Sequence, residues 1–321
     1  MSRRTGTPGS EALLSWRNQL RAPVIAAPLF IASTPALVLA QCTGGIIGTV
    51  PALNARTSAL FEEWLAQLSE TLTDTTPFGV NLIVHRSNPR LEADLALCEK
   101  YRVPLVISSM GASEDVNRVV HGYGGSTLHD ITTQAHARKA IERGADGLIA
   151  VAAGAGGHAG TTSPFALVSE IREWFDGPLA LAGAIGTGRG VLGARAMGAD
   201  FAYVGSAFIA THEAGVGEAQ KVAMVEAAAE DIVYTPAFSG TPANYLKSSI
   251  AAQGLDPATL PASRRELQVG NQAGAAKTWT EIWGSGQGVG ATKAVEPASE
   301  VVERLVREYS EALNEVAASA R

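Results

Sequence analysis

The feature that most constrains this chain is a rhythm of eight short apolar runs, each followed by a longer amphipathic stretch. The runs are PVIAAPLF (23–30), GGIIGTV (44–50), PFGVNLIV (77–84), VPLVISS (103–109), GGSTLHD (124–130), ADGLIAVAA (145–153), GPLALAG (177–183) and ADFAYVG (199–205). They are continuous rather than alternating, the pattern of parallel strands covered on both faces. Successive runs begin about 20–35 residues apart, which leaves room for a strand, a helix and the return that a βαβ unit needs. Helix-like stretches such as NARTSALFEEWLAQLSETL lie between them, and RGAD (143–146) and MGAD (197–200) repeat one signal, a helix-ending glycine followed by a strand start. Eight such units within about 180 residues predict an α/β fold, a (β/α)8 barrel rather than an open doubly wound sheet. An open sheet usually carries fewer strands and a glycine fingerprint after the first one. Here the first run ends in APLF, with no GxGxxG.

After Thr211 the pattern changes. An alanine-rich helix is expected over 214–230, loop and helix over 235–253, a turn-rich stretch over 254–281 and a closing helix over 296–318. The expected organisation is therefore a barrel over 1–213 and a mostly helical subdomain over 214–295, lying across the catalytic face. The closing helix, within 296–321, packs back on the barrel.

Composition narrows the function. The chain has 321 residues, 46% hydrophobic and 17% charged, with a formal charge of −6. Interspersed charges of net negative sign argue against nucleic acid as the main partner, because phosphate binding needs a basic surface. Arg3 and Arg4 are followed by a polar, helical stretch rather than an apolar leader, and no run approaches the ~20 apolar residues of a membrane span. A cytoplasmic location is expected. Cys42 and Cys98 have no metal-type spacing and read as buried free thiols. Pairing into a homodimer is compatible with the sequence but not required by it.

In a barrel of this kind the chemistry lies at the C-terminal ends of the strands. The third run ends near Asn81, His85 and Arg86, the fifth at His129 and Asp130, and the sixth at GAGGHAG (154–160). The seventh and eighth end in AGAIGTGRG (182–190) and VGSAF (204–208). Glycine-rich turns after strands seven and eight are where backbone N–H groups receive a phosphate. Gly183 and Gly205 permit close approach there, and Ser206 adds a hydroxyl. Gly186, Gly188 and Gly190 are equally explained by a tight turn. His158 stands out, since a loop almost without side chains leaves its imidazole unscreened, and an imidazole titrates near pH ~6.5. That suits proton transfer beside a flat cofactor; a histidine capping a carbonyl is the plainer alternative. His121, His136 and His212 read as packing, solvent-facing or capping residues. No histidine–carboxylate set has metal spacing, and no GxSxG elbow is present.

With these residues in place, the chain resembles the nitronate monooxygenase family, FMN-dependent TIM-barrel flavoproteins. The resemblance rests on PVIAAPLF, GGIIGTV, PFGVNL, AGGHAG, LAGAIGTGRG and MGADFAYVGSAFIAT, and returns in TPAFSGTPANYL (235–246) and IWGSGQGVG (282–290). It implies that Pro28, Leu29 and Phe30 lie along the isoalloxazine with Asn81 near the ring, and that Gly156 and Gly157 belong to a loop against the flavin. It further implies that Ala182, Gly183, Ala184, Gly205 and Ser206 hold the FMN phosphate, that Gln287 is another flavin contact, and that His158 is the base for a nitroalkane's α-proton. Oxidation of alkyl nitronates or nitroalkanes by O2 to a carbonyl compound and nitrite is the implied reaction. Flavin-dependent reduction of a quinone or an enoyl thioester by NAD(P)H shares most of these motifs. A flavin-free phosphosugar isomerase or synthase would use the same phosphate cup, and a flavin-binding protein without catalysis stays open. Three positions depart from the family pattern: Val151 for glutamine, Gly154 for glutamate, and Asp130 for a lysine near the phosphate. A carboxylate at 130 would repel phosphate unless it faces another polar group.

Overall fold

The computed structural model describes residues 6–73, 75–260 and 278–319. Arg3, Arg4 and most of the turn-rich stretch 254–281 therefore lie outside the described residues. The chain runs α1 (Pro8–Gln19), β1 (Val24–Ala26), α2 (Pro35–Thr43), β2 (Gly48–Pro51), α3 (Ser58–Thr71), β3 (Phe78–Ile83), α4 (Leu91–Lys100), β4 (Leu105–Ser109), α5 (Glu114–Gly122), β5 (Ser126–Ile131), α6 (Gln134–Glu142) and β6 (Gly147–Val151). A two-residue strand β7 (Gly157–His158) comes next, then α7 (Pro164–Arg172), β8 (Leu179–Ala182), α8 (Gly188–Met197) and β9 (Phe201–Val204). The remainder is α9 (Glu218–Glu226), β10 (Ile232–Thr235), β11 (Ala243–Leu246), α10 (Lys247–Ala252) and α11 (Ala298–Ser319).

Every apolar run contains a strand of one parallel sheet, in the order β1-β9-β8-β6-β5-β4-β3-β2. A parallel bridge between Ile25 and Ile47 joins the two ends and closes it into the TIM barrel. The strands are shorter than the runs. The first stops at Ala26: the Ala27 N–H still donates to the Val204 carbonyl at 2.8 Å, but Pro28 has no N–H to offer a ladder, and Pro28–Phe30 line the barrel mouth. Side chains of Ile25, Ile47, Leu105, Ile107, Leu128, Ile149 and Phe201, each 0% exposed, fill the interior. Leu13 of α1 plugs its lower end. There the Ser10 hydroxyl donates to the Asp146 carbonyl at 2.9 Å, and Arg17 pairs with Asp200 at 2.6 Å. Thr34, Thr57, Ser113, Thr133 and Thr187 cap the starts of α2, α3, α5, α6 and α8, each accepting a backbone N–H on its hydroxyl.

Beyond the barrel the expected alanine-rich helix is the shorter α9, and an antiparallel ribbon β10–β11–β7 accompanies the helices. Two residues of β7 carry too little periodicity to announce a strand; β10 falls largely between the helix expected over 214–230 and the stretch 235–253 read as loop and helix, which holds β11. β11 pairs Ala243 with His158 and Asn244 with Gly157, so the ribbon ties the segment after residue 214 to the loop after β6. The closing helix α11 packs against α8 and α2. A side chain at Gly188 would strike the α11 backbone at Leu305 and Tyr309, and the Glu308 carboxylate accepts from the Gly188 N–H at 2.8 Å. Gly188 therefore serves helix packing, and part of the α8 N-terminus is already occupied. Cys42 and Cys98 are buried free thiols. Among the described residues no helix is long and apolar enough to cross a membrane, and no cluster of three or more His, Cys, Asp or Glu is placed to hold a metal.

Candidate active site

A cavity of about 1550 Å³ opens at the C-terminal ends of the barrel strands. Pro28, Leu29, Phe30, Asn81, Asp130, Gly156, Gly157, His158, Ala182, Gly183, Ala184, Gly205 and Ser206 all line it. Gln287 stands just behind the wall: its N–H donates to the Gly154 carbonyl at 2.9 Å. Its side-chain oxygen lies where a Cβ on Gly154 would come within 2.8 Å. With φ +84° at Gly154, a glutamate there would need both a strained backbone and the space Gln287 fills. The departure at 154 is thus matched by its neighbour.

Backbone strain concentrates around this cavity. Of the five described non-glycine residues with positive φ, four line it: Ile31 (69°), Met110 (65°), Ala184 (55°) and Trp279 (74°). Such conformations cost of order 1–3 kcal/mol each and collect at ligand-handling sites.

The glycines of GAGGHAG have a more specific reason than access. A Cβ on Gly156 would meet the Gly286 nitrogen at 2.8 Å, and one on Gly286 would meet the Gly154 carbonyl at 2.7 Å. The loops at 154–158 and 284–288 press backbone against backbone. The Asn244 amide, donating to the Ala155 carbonyl at 2.7 Å, and the Gly286 N–H, donating to the Ser206 hydroxyl at 2.8 Å, hold them there.

His158 follows from this clamp. Its backbone is paired in the ribbon, its Nε2 lies 3.0 Å from the Ser239 hydroxyl, and its ring meets Trp279 edge to face at 5.4 Å. Burial pushes its pKa down to about 4, so the ring is neutral throughout the physiological range. It also borders a smaller cavity of about 320 Å³ walled by threonines of 132–133 and 161–162.

Across the barrel mouth lies a buried polar chain. The Asn81 amide donates to the Ser109 hydroxyl at 2.6 Å, and Ser109 donates to Asp130 Oδ2. Asp130 thus faces another polar group. Its Oδ1 and the Tyr203 hydroxyl are shielded from solvent without a protein partner. Burial, partly opposed by the Ser109 hydrogen bond, raises the Asp130 carboxyl to about 6. Burial, reinforced by Asp130, holds the Tyr203 phenol well above its usual range. Orphaned polar atoms beside a cavity mark a place where a ligand's polar edge completes the hydrogen bonding. His129 also lines the cavity, but its Nε2 binds Asn117 at 2.8 Å on the outer side of the strand. His85 bonds Ser87 at the surface, away from the cavity. Sequence reasoning missed Ser109, Tyr203, Ser239, Tyr245 and Trp279. Inward alternation along β4 and β9 could have identified the first two; no local signal points to the others.

A closed parallel barrel with a large cavity at its C-terminal rim, ringed by strained backbone and shifted ionisable groups, has the architecture of a barrel enzyme. The chain belongs to the nitronate monooxygenase family, whose model matches residues 13–308, and it is an oxidoreductase. A nitronate monooxygenase of Paraburkholderia phytofirmans is 28% identical over 97% of this chain and 98% of its own length. A nitroalkane oxidase of Streptomyces ansochromogenes has a similar structure, with a TM-score of 0.75 at 24% identity, covering 93% of this chain and 99% of that one. FabK from Thermotoga maritima has a TM-score of 0.77 at 22% identity, covering 98% and 99%.

Proposed function

We propose that the protein is an FMN-dependent nitronate monooxygenase, oxidising an alkyl nitronate with O2 to a carbonyl compound and nitrite. The observation that carries this reading is His158, an imidazole held by Ser239 and Trp279 at the edge of a cavity roomy enough for cofactor and small substrate together. For comparison, drug-sized pockets span roughly 300–1,000 Å³.

The residues present fit FMN. The turns carrying Ala182, Gly183, Ala184, Gly205 and Ser206 would receive its phosphate through the Ser206 hydroxyl and their remaining backbone N–H groups, that of Ala184 being donated to the Gly154 carbonyl at 3.3 Å. Pro28, Leu29 and Phe30 would flank the ring, with Phe30, 51% exposed, free to be covered by it. Asn81 and the unpartnered Asp130 Oδ1 and Tyr203 hydroxyl supply polar groups for the ring's heteroatom edge. Gly156 and Gly157 bring backbone to the cavity from the loop after β6, and Gln287 supports that loop from behind.

A bound FMN would supply the redox chemistry, one or two electrons moving from the nitronate toward dioxygen. The protein's own part is proton handling and positioning. His158, unprotonated at neutral pH, takes the α-proton of a neutral nitroalkane, and the nitronate so formed favours the imidazolium beside it. With a preformed nitronate no proton need move, and the histidine only orients the nitro group. Flavin-dependent reduction by NAD(P)H is the rival reading. Anaerobic mixing of the FMN-loaded protein with nitronate and, separately, with NADPH tests the two.

A further inference from the structure

We infer that Ser239 holds the His158 proton on Nε2 and thereby makes Nδ1 the nitrogen that accepts a substrate proton. This rests on the reading of His158 as a base and adds which atom acts and which residue decides it.

A proton count on Ser239 decides the tautomer. The Ser239 hydroxyl has one hydrogen, and it lies 2.8 Å from the Thr241 carbonyl, which can only accept. That hydrogen is therefore engaged, leaving two lone pairs on Oγ. The Tyr245 hydroxyl donates to one at 3.1 Å. The other faces Nε2 of His158 at 3.0 Å, a contact that is a hydrogen bond only if Nε2 carries the hydrogen. With the proton on Nδ1 instead, two lone pairs would oppose each other. The arrangement satisfies every site on Ser239, one donated and two accepted. Nδ1 has no hydrogen-bond partner among the described residues, and the ring as a whole lines the cavity. The β7–β11 pairing fixes the His158 backbone and the perpendicular contact with Trp279 packs against its ring, so Nε2 is the nitrogen presented to Ser239.

Ser239 is thus a positioning residue, and Tyr245 should matter less, since its removal leaves both the Thr241 and the His158 bonds intact. The test is ¹⁵N NMR of the histidine rings at neutral pH in the purified full chain, for wild type, Ser239→Ala, Ser239→Thr and Tyr245→Phe. Wild type, Ser239→Thr and Tyr245→Phe should show protonated Nε2 and bare Nδ1, whereas in Ser239→Ala the two shifts should converge as the tautomers mix. In parallel, Ser239→Ala should lose about tenfold in kcat/KM for a neutral nitroalkane and stay within about twofold on preformed nitronate, with threonine restoring the loss. A wild-type Nδ1–H tautomer, or unchanged shifts in Ser239→Ala, overturns the inference. If the wild type oxidises neither substrate, the reading of His158 as a nitroalkane base fails, while the tautomer assignment is still decided by the spectrum.

Discussion

Replacing Gly156 by alanine isolates the clamp that shapes the active site. A Cβ there would sit 2.8 Å from the Gly286 nitrogen and 3.1 Å from the Ser285 carbonyl carbon. Both neighbours are backbone atoms, held by the Asn244–Ala155 and Gly286–Ser206 hydrogen bonds, so neither can swing aside as a side-chain tip would. Gly156 is not among the positive-φ glycines, so the methyl group brings overpacking without conformational strain. Overpacking of this kind costs about 1–3 kcal/mol, a fall of roughly 2–6 °C in Tm for a chain of this size. Gly193→Ala is the matched control. That glycine lies inside α8 with nothing within 4 Å of its would-be Cβ. Its replacement should raise Tm by roughly 1–2 °C through helix propensity. Calorimetry or thermal circular dichroism of both variants provides the comparison. If Gly156→Ala melts with or above the wild type, the backbone-to-backbone clamp is not what holds the loop.

Two further predictions concern the ionisable groups. Asp130 has a raised pKa in the folded state, so the folded protein holds that proton more tightly and stability from this residue declines as pH rises from about 4 through about 6. Asp130→Asn should therefore gain on the wild type by up to about 3 kcal/mol between pH 4 and pH 8 in urea melts; a gap independent of pH would contradict the assignment. His158→Asn should cut kcat/KM for a neutral nitroalkane by about 10²-fold or more yet spare most turnover of preformed nitronate. Equal loss on both substrates would remove the base role.

The barrel was legible because eight parallel strands need eight continuous apolar runs, and each left its mark in the sequence. The rim was legible where chemistry and backbone coincide, as at His158, Gly183, Gly205 and Ser206, which all line one cavity. What stayed hidden depends on contacts distant in sequence. Ser239 lies 81 residues from His158, and nothing in its neighbourhood tells that the two meet. The reason for Gly156 is Gly286, which no local pattern couples to it. Gly154 reads in sequence as the loss of an acid, but Gln287 fills its space in the fold, and Asp130 reads as ill-placed for phosphate, but Ser109 supplies its partner. The ribbon β10–β11–β7 was missed because its strands are too short for period-two alternation to register.

The most direct test of the central claim is to reconstitute the protein with FMN, remove oxygen, and mix it in a stopped-flow spectrometer with an alkyl nitronate or with NADPH. Prompt bleaching or a one-electron-reduced spectrum is expected with nitronate, no comparable change with NADPH, and nitrite release once air is admitted. Prompt bleaching by NADPH with nitronate inert would contradict the central claim and make the protein a reductase; failure of the protein to retain FMN would contradict the cofactor assignment itself.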